Sequence, residues 1–518
     1  MKFNISSMLN ENVYDHSVSE LQLIETHISW VILTGDYAYK IKKPVNYGFL
    51  DFSTLDKRHQ YCEQELVLNS RLAPDIYLSV VPITGTTIAP VLSGTGTPFE
   101  FAVKMRQFPQ SAQFDNMLAA GVLSCDHLDA LAFTTAQFHQ STQVAGSLVD
   151  YGDAKIVYQP VEENFNQIRE HIGTQQYDTI LDELSAWSHA EYSRLKLFLD
   201  MRKQDGYIRQ CHGDMHLRNL IWFNDQPMAF DCIEFNDHLS WIDVISEVAF
   251  LIMDLQSRNQ INLANRFINS YLESTGDYAG LKVMSFYLSY RAMVRAKVDT
   301  LRLQQKDLTE TERELTKTEF ESYLTLARNY TKSVIPKLII MYGLSGVGKS
   351  TVSQQLVDVM GYIRIRSDVE RKRMFNIDSH EKASEAINKG IYSTKTSEKT
   401  YIKLASLAEQ VIKSGFSVVI DATFLKYSQR EIFQQLAQRL SISYVVLELT
   451  APISVLRSRL LKREGDVSDA DLSVLDNQVS ILKPFKKHEK DHVIEINTDK
   501  RFEIDKLMSK LEVMKVCK

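Results

Sequence analysis

The amino-acid sequence predicts an α/β multidomain protein in which an α+β part is followed by a doubly wound parallel α/β part. Three observations support this fold class. A polar loop at 211–220 lies between an apolar approach and a short predicted hairpin. A glycine-rich loop at 343–351 lies between a buried apolar strand and a helix. After the second loop, apolar strands alternate with helical stretches, which is typical of a doubly wound sheet.

Length and composition narrow the possible classes of protein. The 518 residues are 44% apolar and 24% charged, which is ordinary for globular proteins. About three compact lobes of roughly 150 residues fit this length. The formal net charge of -6 argues against a nucleic-acid coat or a polybasic membrane anchor, but it does not exclude a small anionic substrate.

The cysteines and the N-terminus point to a compartment. The five cysteines are scattered without a C-x-x-C pair, so neither a disulfide framework nor a zinc site is predicted. A reducing cytoplasm is the expected location. The first residues lack an apolar core of signal-peptide length, and we expect no membrane span.

Residues 29–43 predict two strands around a turn, because β-favouring residues flank a Gly-Asp pair. On the second strand Lys40 and Lys42 share one face, since side chains alternate along a strand. A kinase uses a strand lysine to hold the α- and β-phosphates, and the order Ala-Tyr-Lys at 38–40 is similar to V-A-I-K. Lys40 is therefore the predicted nucleotide lysine and Lys42 the alternative. A solvated basic edge strand is the interpretation without function.

A helix predicted from about 55 to 72 follows these strands. Glu65 lies within it and is the predicted partner of the strand lysine, with Glu63 as the alternative. Further strands are predicted at 77–83 and 99–105, and helices at 124–139 and 160–204.

The loop at 211–220 has the spacing His-Gly-Asp followed by Asn five residues after the Asp. In a kinase-type loop, the Asp takes the proton of the attacking hydroxyl and the Asn holds a Mg²⁺ on the nucleotide phosphates. Asp214 and Asn219 fit these roles. A second Mg²⁺ carboxylate is expected after the next hairpin, and Asp231 follows predicted strands at 220–223 and 228–230.

An apolar helix is predicted to begin near Ser240. Asp243 and Glu247 lie four residues apart and would therefore share one face of this helix. Because buried acids need partners, we expect both side chains to hold the backbone of the catalytic loop.

The glycine-rich loop has the pattern G-x-x-x-x-G-K-S in a strand–loop–helix setting. Its backbone N–H groups would surround phosphates, and the helix N-terminus would add positive potential. We expect Lys349 to reach the β- and γ-phosphates and Ser350 to reach the Mg²⁺. The predicted nucleotide-binding residues here are Gly343, Leu344, Ser345, Gly346, Val347, Gly348, Lys349, Ser350 and Thr351.

Four further strands are predicted at 362–366, 417–420, 444–449 and 492–496. Asp421 ends the second of them, where a Walker B acid would order the metal. Asp368 follows the first and is the predicted acceptor base, because Arg366, Arg371 and Lys372 would keep it ionised.

Arginines on a later helix and its exit loop are predicted to close over the phosphates. Arg459 and Arg463 are the predicted nucleotide contacts, and Arg457 belongs to the same group. A basic surface helix is the alternative interpretation.

His212, Gly213, Asp214, Asn219 and Asp231 carry a resemblance to aminoglycoside-phosphotransferase-like kinases. The resemblance covers residues 1–332. It implies a two-lobed kinase-like fold, with a small β-rich lobe at about 1–108 and a larger helical lobe at about 109–332. It also implies transfer of phosphate from ATP or GTP to a small-molecule hydroxyl. Glu247-Val248-Ala249 stands where the family usually has Asp-Leu-Ala.

Residues 337–518 resemble small P-loop kinases of the gluconate-kinase, zeta-toxin and polynucleotide-kinase type. The resemblance depends on the glycine-rich loop, on 366–372, on 421–424 and on 457–463. The whole chain resembles bacterial fusions of these two kinase types. The hypothesis is two phosphotransferase sites that use Mg²⁺ with ATP or GTP on small-molecule hydroxyl acceptors. The alternatives are a regulator with one catalytic half, or a nucleic-acid end kinase in the second half.

Overall fold

The fold is described from a computed structural model. The described residues are 3–47, 50–173, 175–305, 308–377, 394–462, 472–500 and 502–513. They form two compact units. The first unit contains 1–257 and 286–328, and the second contains 258–285 and 329–518. The segment 258–285 therefore belongs with the C-terminal part of the chain. The boundary of 332/337 and the lobe boundary of 108/109 stay predictions.

The small lobe of the first unit is built on a six-stranded antiparallel sheet in the order β1-β2-β3-β6-β4-β5. Its elements are β1 (Gln22–Glu25), β2 (Ser29–Leu33), β3 (Tyr37–Lys42), α1 (Leu55–Asn69), β4 (Tyr77–Thr86), β5 (Ala89–Leu92) and β6 (Glu100–Arg106). Alternation along β3 sends Tyr39 and Ile41 to one core, whereas Ala38 packs in the core that contains Cys62 of α1. Lys40 and Lys42 consequently lie on the sheet face that α1 covers.

The remaining elements of the first unit are mostly helical. They begin with α2 (Phe114–Ala119), α3 (Cys125–Ser141), α4 (Ala154–Ile172), α5 (Asp178–Gln204), β7 (Ile208–Gln210), β8 (Leu220–Phe223), β9 (Gln226–Ala229), α6 (Asp237–Ser240), β10 (Trp241–Asp243) and α7 (Val244–Ser257). Strands β8 and β9 form the predicted hairpin. The apolar helix starts at Val244, later than predicted, because the three residues of β10 pair with β7 instead.

The next elements along the chain are α8 (Ile261–Thr275), α9 (Leu281–Leu303) and α10 (Glu310–Tyr330). The second unit continues with β11 (Lys337–Tyr342), α11 (Lys349–Met360), β12 (Ile363–Arg366), α12 (Ser367–Met374), α13 (Thr394–Lys413), β13 (Val418–Asp421), α14 (Tyr427–Leu440), β14 (Ser443–Thr450), α15 (Ile453–Leu461), α16 (Leu472–Ile481), β15 (Val493–Asn497) and α17 (Ile504–Val513).

The second unit is a doubly wound domain around a parallel sheet in the order β12-β13-β11-β14-β15. Its four strands after β11 match the sequence prediction. The buried core includes Ile339 of β11, Leu356 of α11, and Val445 and Leu447 of β14. Parallel strands covered on both faces explain these continuous apolar runs.

Helix α8 covers the open edge of the sheet at β12. The Arg364 backbone N–H donates to Asn269 Oδ1 at 2.7 Å, and Asn269 Nδ2 donates to the Tyr362 carbonyl at 3.2 Å. The amide of Asn269 thus takes the place of a neighbouring strand, which protects an edge that would otherwise be unpaired.

Within the described part of the chain, we find no helix with both the length and the apolar character of a bilayer-spanning segment.

Candidate active sites

Five charged side chains form an alternating chain of ion pairs in the first unit. Lys40 Nζ donates to Glu65 Oε1 at 2.7 Å and also pairs with Asp231. Lys42 Nζ donates to Glu65 Oε2 at 2.7 Å and pairs with Glu234. We call this set, in the order Asp231, Lys40, Glu65, Lys42, Glu234, the ion chain. Both lysines meet the same glutamate because alternation along β3 gives them one face and α1 presents Glu65 to it.

The ionisation of this chain follows from burial and pairing together. Burial lowers the pKa of Lys40, but the carboxylates of Asp231 and Glu65 outweigh it and hold that pKa well above its usual range. Burial alone would raise the pKa of Glu65, yet Lys40 and Lys42 bring it down to about 2. For Glu234, burial prevails over the attraction of Lys42, so its pKa is raised.

Asp214 and Asn219 lie together in the loop at 211–220. The Asn219 amide donates to Asp214 Oδ2 at 2.9 Å and to the Asp214 carbonyl at 3.0 Å. His216 Nε2 lies 3.3 Å from the same carboxylate oxygen. Burial would raise the pKa of Asp214, but the neighbouring His216 lowers that pKa well below its usual range. The carboxylate is thus held ionised, which is the state that a proton acceptor needs.

His212 joins the loop to the hairpin that carries Asp231. Its Nδ1 accepts the Asp214 backbone N–H at 3.2 Å, and its Nε2 donates to the Phe230 carbonyl at 2.8 Å. This pattern requires the neutral ring with its proton on Nε2, and burial indeed lowers the pKa of His212. The Phe230 N–H also donates to the Asn219 carbonyl at 3.0 Å, so Asn219 and the start of the Asp231 turn are tied together.

Two acids of α7 fix the backbone of the loop at 211–220. Glu247 accepts the Gly213 N–H at 2.7 Å through one oxygen and contacts His139 Nε2 at 2.5 Å through the other. Asp254 accepts the Leu217 N–H at 2.9 Å. The predicted role of Glu247 matches this geometry. Asp254 lies about two helical turns further along α7 and is a supporting residue that the sequence analysis did not identify.

Asp243 does not hold the loop, contrary to the sequence prediction. It lies in β10 and forms a buried two-point ion pair with Arg202, at 2.6 Å from Nε and 2.8 Å from Nη2. Arg291 instead provides the further loop contact, because its Nη1 donates to the Gly213 carbonyl at 3.3 Å.

Asp231 has backbone geometry that is uncommon for a residue with a side chain. Its φ is 62°, in the left-handed region, and its N–H donates to the Tyr77 hydroxyl at 3.1 Å. Strain of this kind persists where surrounding contacts impose it and is frequent at functional sites. Asn219 and Asp231 together offer oxygen donors, which are the ligands that Mg²⁺ prefers, so the donor set fits this ion.

The second unit presents the glycine-rich loop between β11 and α11. Gly343, Gly346 and Gly348 all have φ between 78° and 154°. A Cβ on Gly346 would come within 3.0 Å of the Leu456 carbonyl, so the loop requires glycine there. Lys349 opens α11, followed by Ser350 and Thr351, and its Nζ donates to the loop carbonyls of Gly343 at 3.1 Å and Leu344 at 2.9 Å.

Gln478 is a contact of this loop that the sequence analysis did not identify. Its Oε1 accepts the Ser345 N–H at 2.8 Å, and its Nε2 donates to Ser345 Oγ at 2.9 Å. Gln478 lies in α16, and no motif in the sequence marks it.

The two predicted acids of the second unit lie at the ends of adjacent strands. Asp421 ends β13 and accepts a hydrogen bond from Ser353 Oγ at 3.2 Å, one turn after Ser350 on α11. Asp368 is the second residue of α12, after β12, and Arg371 Nη1 donates to it at 3.0 Å. This edge, at the carboxyl ends of the strands, is where open α/β sheets bind ligands.

Among the predicted cations next to Asp368, Arg371 pairs with it at 3.0 Å. Arg366 pairs with Glu273 of α8 at 3.1 Å, and Arg364 pairs with the same glutamate at 3.2 Å. Burial would raise the pKa of Glu273, but the two guanidinium groups lower it.

Arg459 lies against the glycine-rich loop. Its Nη2 donates to the Thr498 carbonyl at 2.7 Å, and its Nη1 is 3.4 Å from the Val347 carbonyl. Arg457 forms an exposed pair with Asp476 at 2.5 Å. Arg463 lies outside the described residues. The lid role of these arginines stays a prediction.

Comparison with known families agrees with both halves of this description. The model of the "Phosphotransferase enzyme family" (APH) matches residues 122–284, and an "AAA domain" model matches residues 338–485. One segment of the chain therefore matches the phosphotransferase family, another that contains the glycine-rich loop matches the AAA domain, and the predicted resemblance is confirmed. Both parts are of kinase type, which supports phosphotransferase activity in general.

Several individual proteins are similar to this chain. An uncharacterized protein of Mycobacterium tuberculosis is 28% identical over 474 residues, which cover 91% of this chain and 92% of that protein. The L-seryl-tRNA(Sec) kinase of Methanococcus maripaludis is 29% identical over 128 residues, covering 24% of this chain and 46% of that enzyme. A solved amicoumacin kinase in complex with AMP-PNP and Ca²⁺ is 13% identical, covers 62% of this chain and 92% of its own, and has a TM-score of 0.40.

Proposed function

We propose that the protein is a phosphotransferase with two sites, one in each unit. Each site uses Mg²⁺ with ATP or GTP and transfers the γ-phosphoryl group to a hydroxyl of a small molecule. The observation that carries the proposal for the first unit is the ion chain beside the Asp214–Asn219 pair. These two groups of residues supply what phosphoryl transfer requires, namely a cation that binds phosphate, ligands for a metal ion and a proton acceptor.

In the first unit, Lys40 holds the α- and β-phosphates and Glu65 orients it. Asn219 and Asp231 would hold Mg²⁺, which when bound neutralises charge on the transferred phosphate. Asp214 takes the proton of the acceptor hydroxyl. Its ionised state, maintained by His216, supports this assignment.

In the second unit, the backbone N–H groups of the glycine-rich loop surround the phosphates and Lys349 reaches the β- and γ-phosphates. Ser350 and Asp421 would hold the Mg²⁺. Asp368 takes the acceptor proton, with Arg371 as its neighbour at 3.0 Å. Arg459 and Arg463 complete the charge around the phosphates.

The buried cysteines of the described residues support a cytoplasmic location. Cys62, Cys211 and Cys232 are buried and form no disulfide bond. A reducing compartment keeps thiols in this state.

Nucleotide consumption by the full chain tests the proposal. Wild type, Asp214→Asn, Lys349→Ala and the double variant are incubated with Mg²⁺, ATP or GTP, and a panel of small alcohols, sugars and amino alcohols. We expect two acceptors or acceptor classes, one whose phosphorylation is lost in Asp214→Asn and one whose phosphorylation is lost in Lys349→Ala. If a single substitution abolishes all transfer, the protein has one catalytic site, and the regulatory alternative replaces the two-site proposal.

An acceptor carried on nucleic acid is the second candidate for the P-loop site. The local similarity to L-seryl-tRNA(Sec) kinase favours it, whereas the net charge of -6 opposes it. Phosphorylation of a tRNA or an oligonucleotide end that Lys349→Ala abolishes, with no small-molecule acceptor found, would favour this candidate.

A further inference from the structure

The two ends of the ion chain differ in their access to a ligand. The Asp231 side chain is 46% exposed and that of Lys40 is 11% exposed, whereas those of Lys42, Glu65 and Glu234 are between 0% and 3% exposed. Asp231 and Lys40, the outer pair, can therefore exchange partners with a metal ion and a phosphate. Lys42 and Glu234, the inner pair, cannot reach solvent without leaving a buried charge unpaired, which is strongly unfavourable.

Glu65 contacts both ends of the ion chain through its two carboxylate oxygens. One carboxylate oxygen contacts Lys40 and the other contacts Lys42, each at 2.7 Å. If Asp231 bound a metal ion and Lys40 turned to phosphate, Lys42 would still hold the second oxygen of Glu65. The four side chains other than Asp231 would then be two cations and two anions, so the interior would stay neutral.

Two further contacts keep the inner end in place. The Lys42 ammonium lies over the Phe52 ring at 4.8 Å. Asn69, one turn after Glu65, donates to the Glu65 carbonyl at 2.9 Å and accepts the Cys232 N–H at 2.9 Å. The helix that carries Glu65 is thus tied to the segment between Asp231 and Glu234.

We infer that Lys42 and Glu234 are positioning residues for nucleotide binding. They hold Glu65 while Lys40 exchanges Asp231 for the nucleotide phosphates, and they act on the nucleotide only through Glu65 and Lys40. This inference rests on the proposed nucleotide site of the first unit. It also assigns different roles to the two strand lysines, since Lys40 touches phosphate and Lys42 does not.

The test uses the full chain with Lys349→Ala, so that the P-loop does not contribute to binding. The affinity for Mg²⁺ with a non-hydrolysable ATP analogue is measured by titration and corrected for the folded fraction. The main variant is the charge-neutral pair Lys42→Met/Glu234→Gln. The matched control is Lys43→Met/Glu25→Gln, which removes a neighbouring pair whose Glu25 side chain is 60% exposed.

We expect the Lys42/Glu234 pair of substitutions to weaken binding by about 10–100-fold, the usual effect of losing supporting contacts at a ligand site. The control should stay within about twofold, because exposed pairs contribute little. Adding Lys40→Ala to the main pair should cost no more than Lys40→Ala alone, since coupled residues give non-additive effects. A purely structural role would give multiplicative losses.

Two results would overturn the inference and leave the proposed function intact. One is that the Lys42→Met/Glu234→Gln variant binds the nucleotide analogue as tightly as the parent chain, and the other is that its loss of affinity multiplies with that of Lys40→Ala. If the main pair does not fold, Glu234→Gln alone carries the test, because it removes one charge and keeps an acceptor for Lys42. The expected loss is then about tenfold, at the lower end of the range, and parent-like affinity again overturns the inference. A parent chain that binds no nucleotide would overturn the proposed function of the first unit and this inference together.

Discussion

Replacing Asn269 with alanine tests whether helix α8 is an integral part of the second unit. The Asn269 side chain receives the Arg364 N–H at 2.7 Å and donates to the Tyr362 carbonyl at 3.2 Å. On the other edge of β12, the Ile363 N–H donates to the Ser417 carbonyl beside β13. The substitution therefore removes the outer partners of β12 and leaves the inner ones.

The expected loss follows from the two backbone groups that become unpaired. Each buried group without a partner costs about 1–3 kcal/mol, so a loss of about 2–4 kcal/mol is expected when the strand relaxes in part. Because each 1.4 kcal/mol is a factor of ten, the β12 amides should exchange hydrogen roughly 30- to 700-fold faster. The unfolding temperature of the second unit should fall by roughly 5–15 °C.

Hydrogen exchange of the peptide that spans 362–366 measures this effect directly, and calorimetry of the full chain measures the transition. Asn262→Ala is the matched control, because it is the same chemical change at an exposed position of the same helix. Exchange in Asn269→Ala within about threefold of this control would refute the reasoning, since that difference is smaller than 1 kcal/mol.

Three further predictions concern the proposed chemistry. Asp214→Asn should lower transfer by the first unit about 10²–10⁴-fold while nucleotide binding survives, and near-normal turnover with a verified acceptor would reject the base assignment. Lys40→Ala should weaken nucleotide binding more than Lys42→Ala in titrations of correctly folded chains, and the reverse ranking would move the phosphate role to Lys42. Asp368→Asn should abolish transfer by the second unit but leave Mg²⁺-nucleotide affinity nearly unchanged, whereas Lys349→Ala should lose binding itself. If Asp368→Asn and Lys349→Ala lose nucleotide affinity equally, Asp368 is a metal ligand or a structural residue.

Local patterns predicted much of the fold and several of the contacts among the candidate site residues. Alternation placed Lys40 and Lys42 on one strand face, and the structure has them there with Glu65. The spacing of Asp214 and Asn219 predicted a shared loop, and their side chains are hydrogen-bonded. These features depend on residues that are close in sequence, so periodicity and motif spacing describe them well.

Other features depend on partners that are distant in sequence. Trp241–Asp243 continue an apolar run and look helical, but they pair with Ile208–Gln210 as a strand. Glu234 is three residues after Asp231, and only the fold brings Lys42 to it. A pattern of apolar residues shows which face of an element is buried, but it does not show which element covers that face.

Helix α8 also belongs to a part of the fold that its position in the sequence does not indicate, and this affects how the two proposed activities can be assigned. The family match to the phosphotransferase segment ends at residue 284, yet 258–285 is compact with the P-loop part of the chain. Glu273 of this segment pairs with Arg364 and Arg366, and the strand that carries them leads directly into Asp368. A fragment that starts at residue 337 would lose these contacts and expose the edge of β12. Its inactivity would then report the missing helix, not the chemistry of the glycine-rich loop. Single substitutions in the full chain keep α8 in place, so they separate the two proposed activities where excised halves would not.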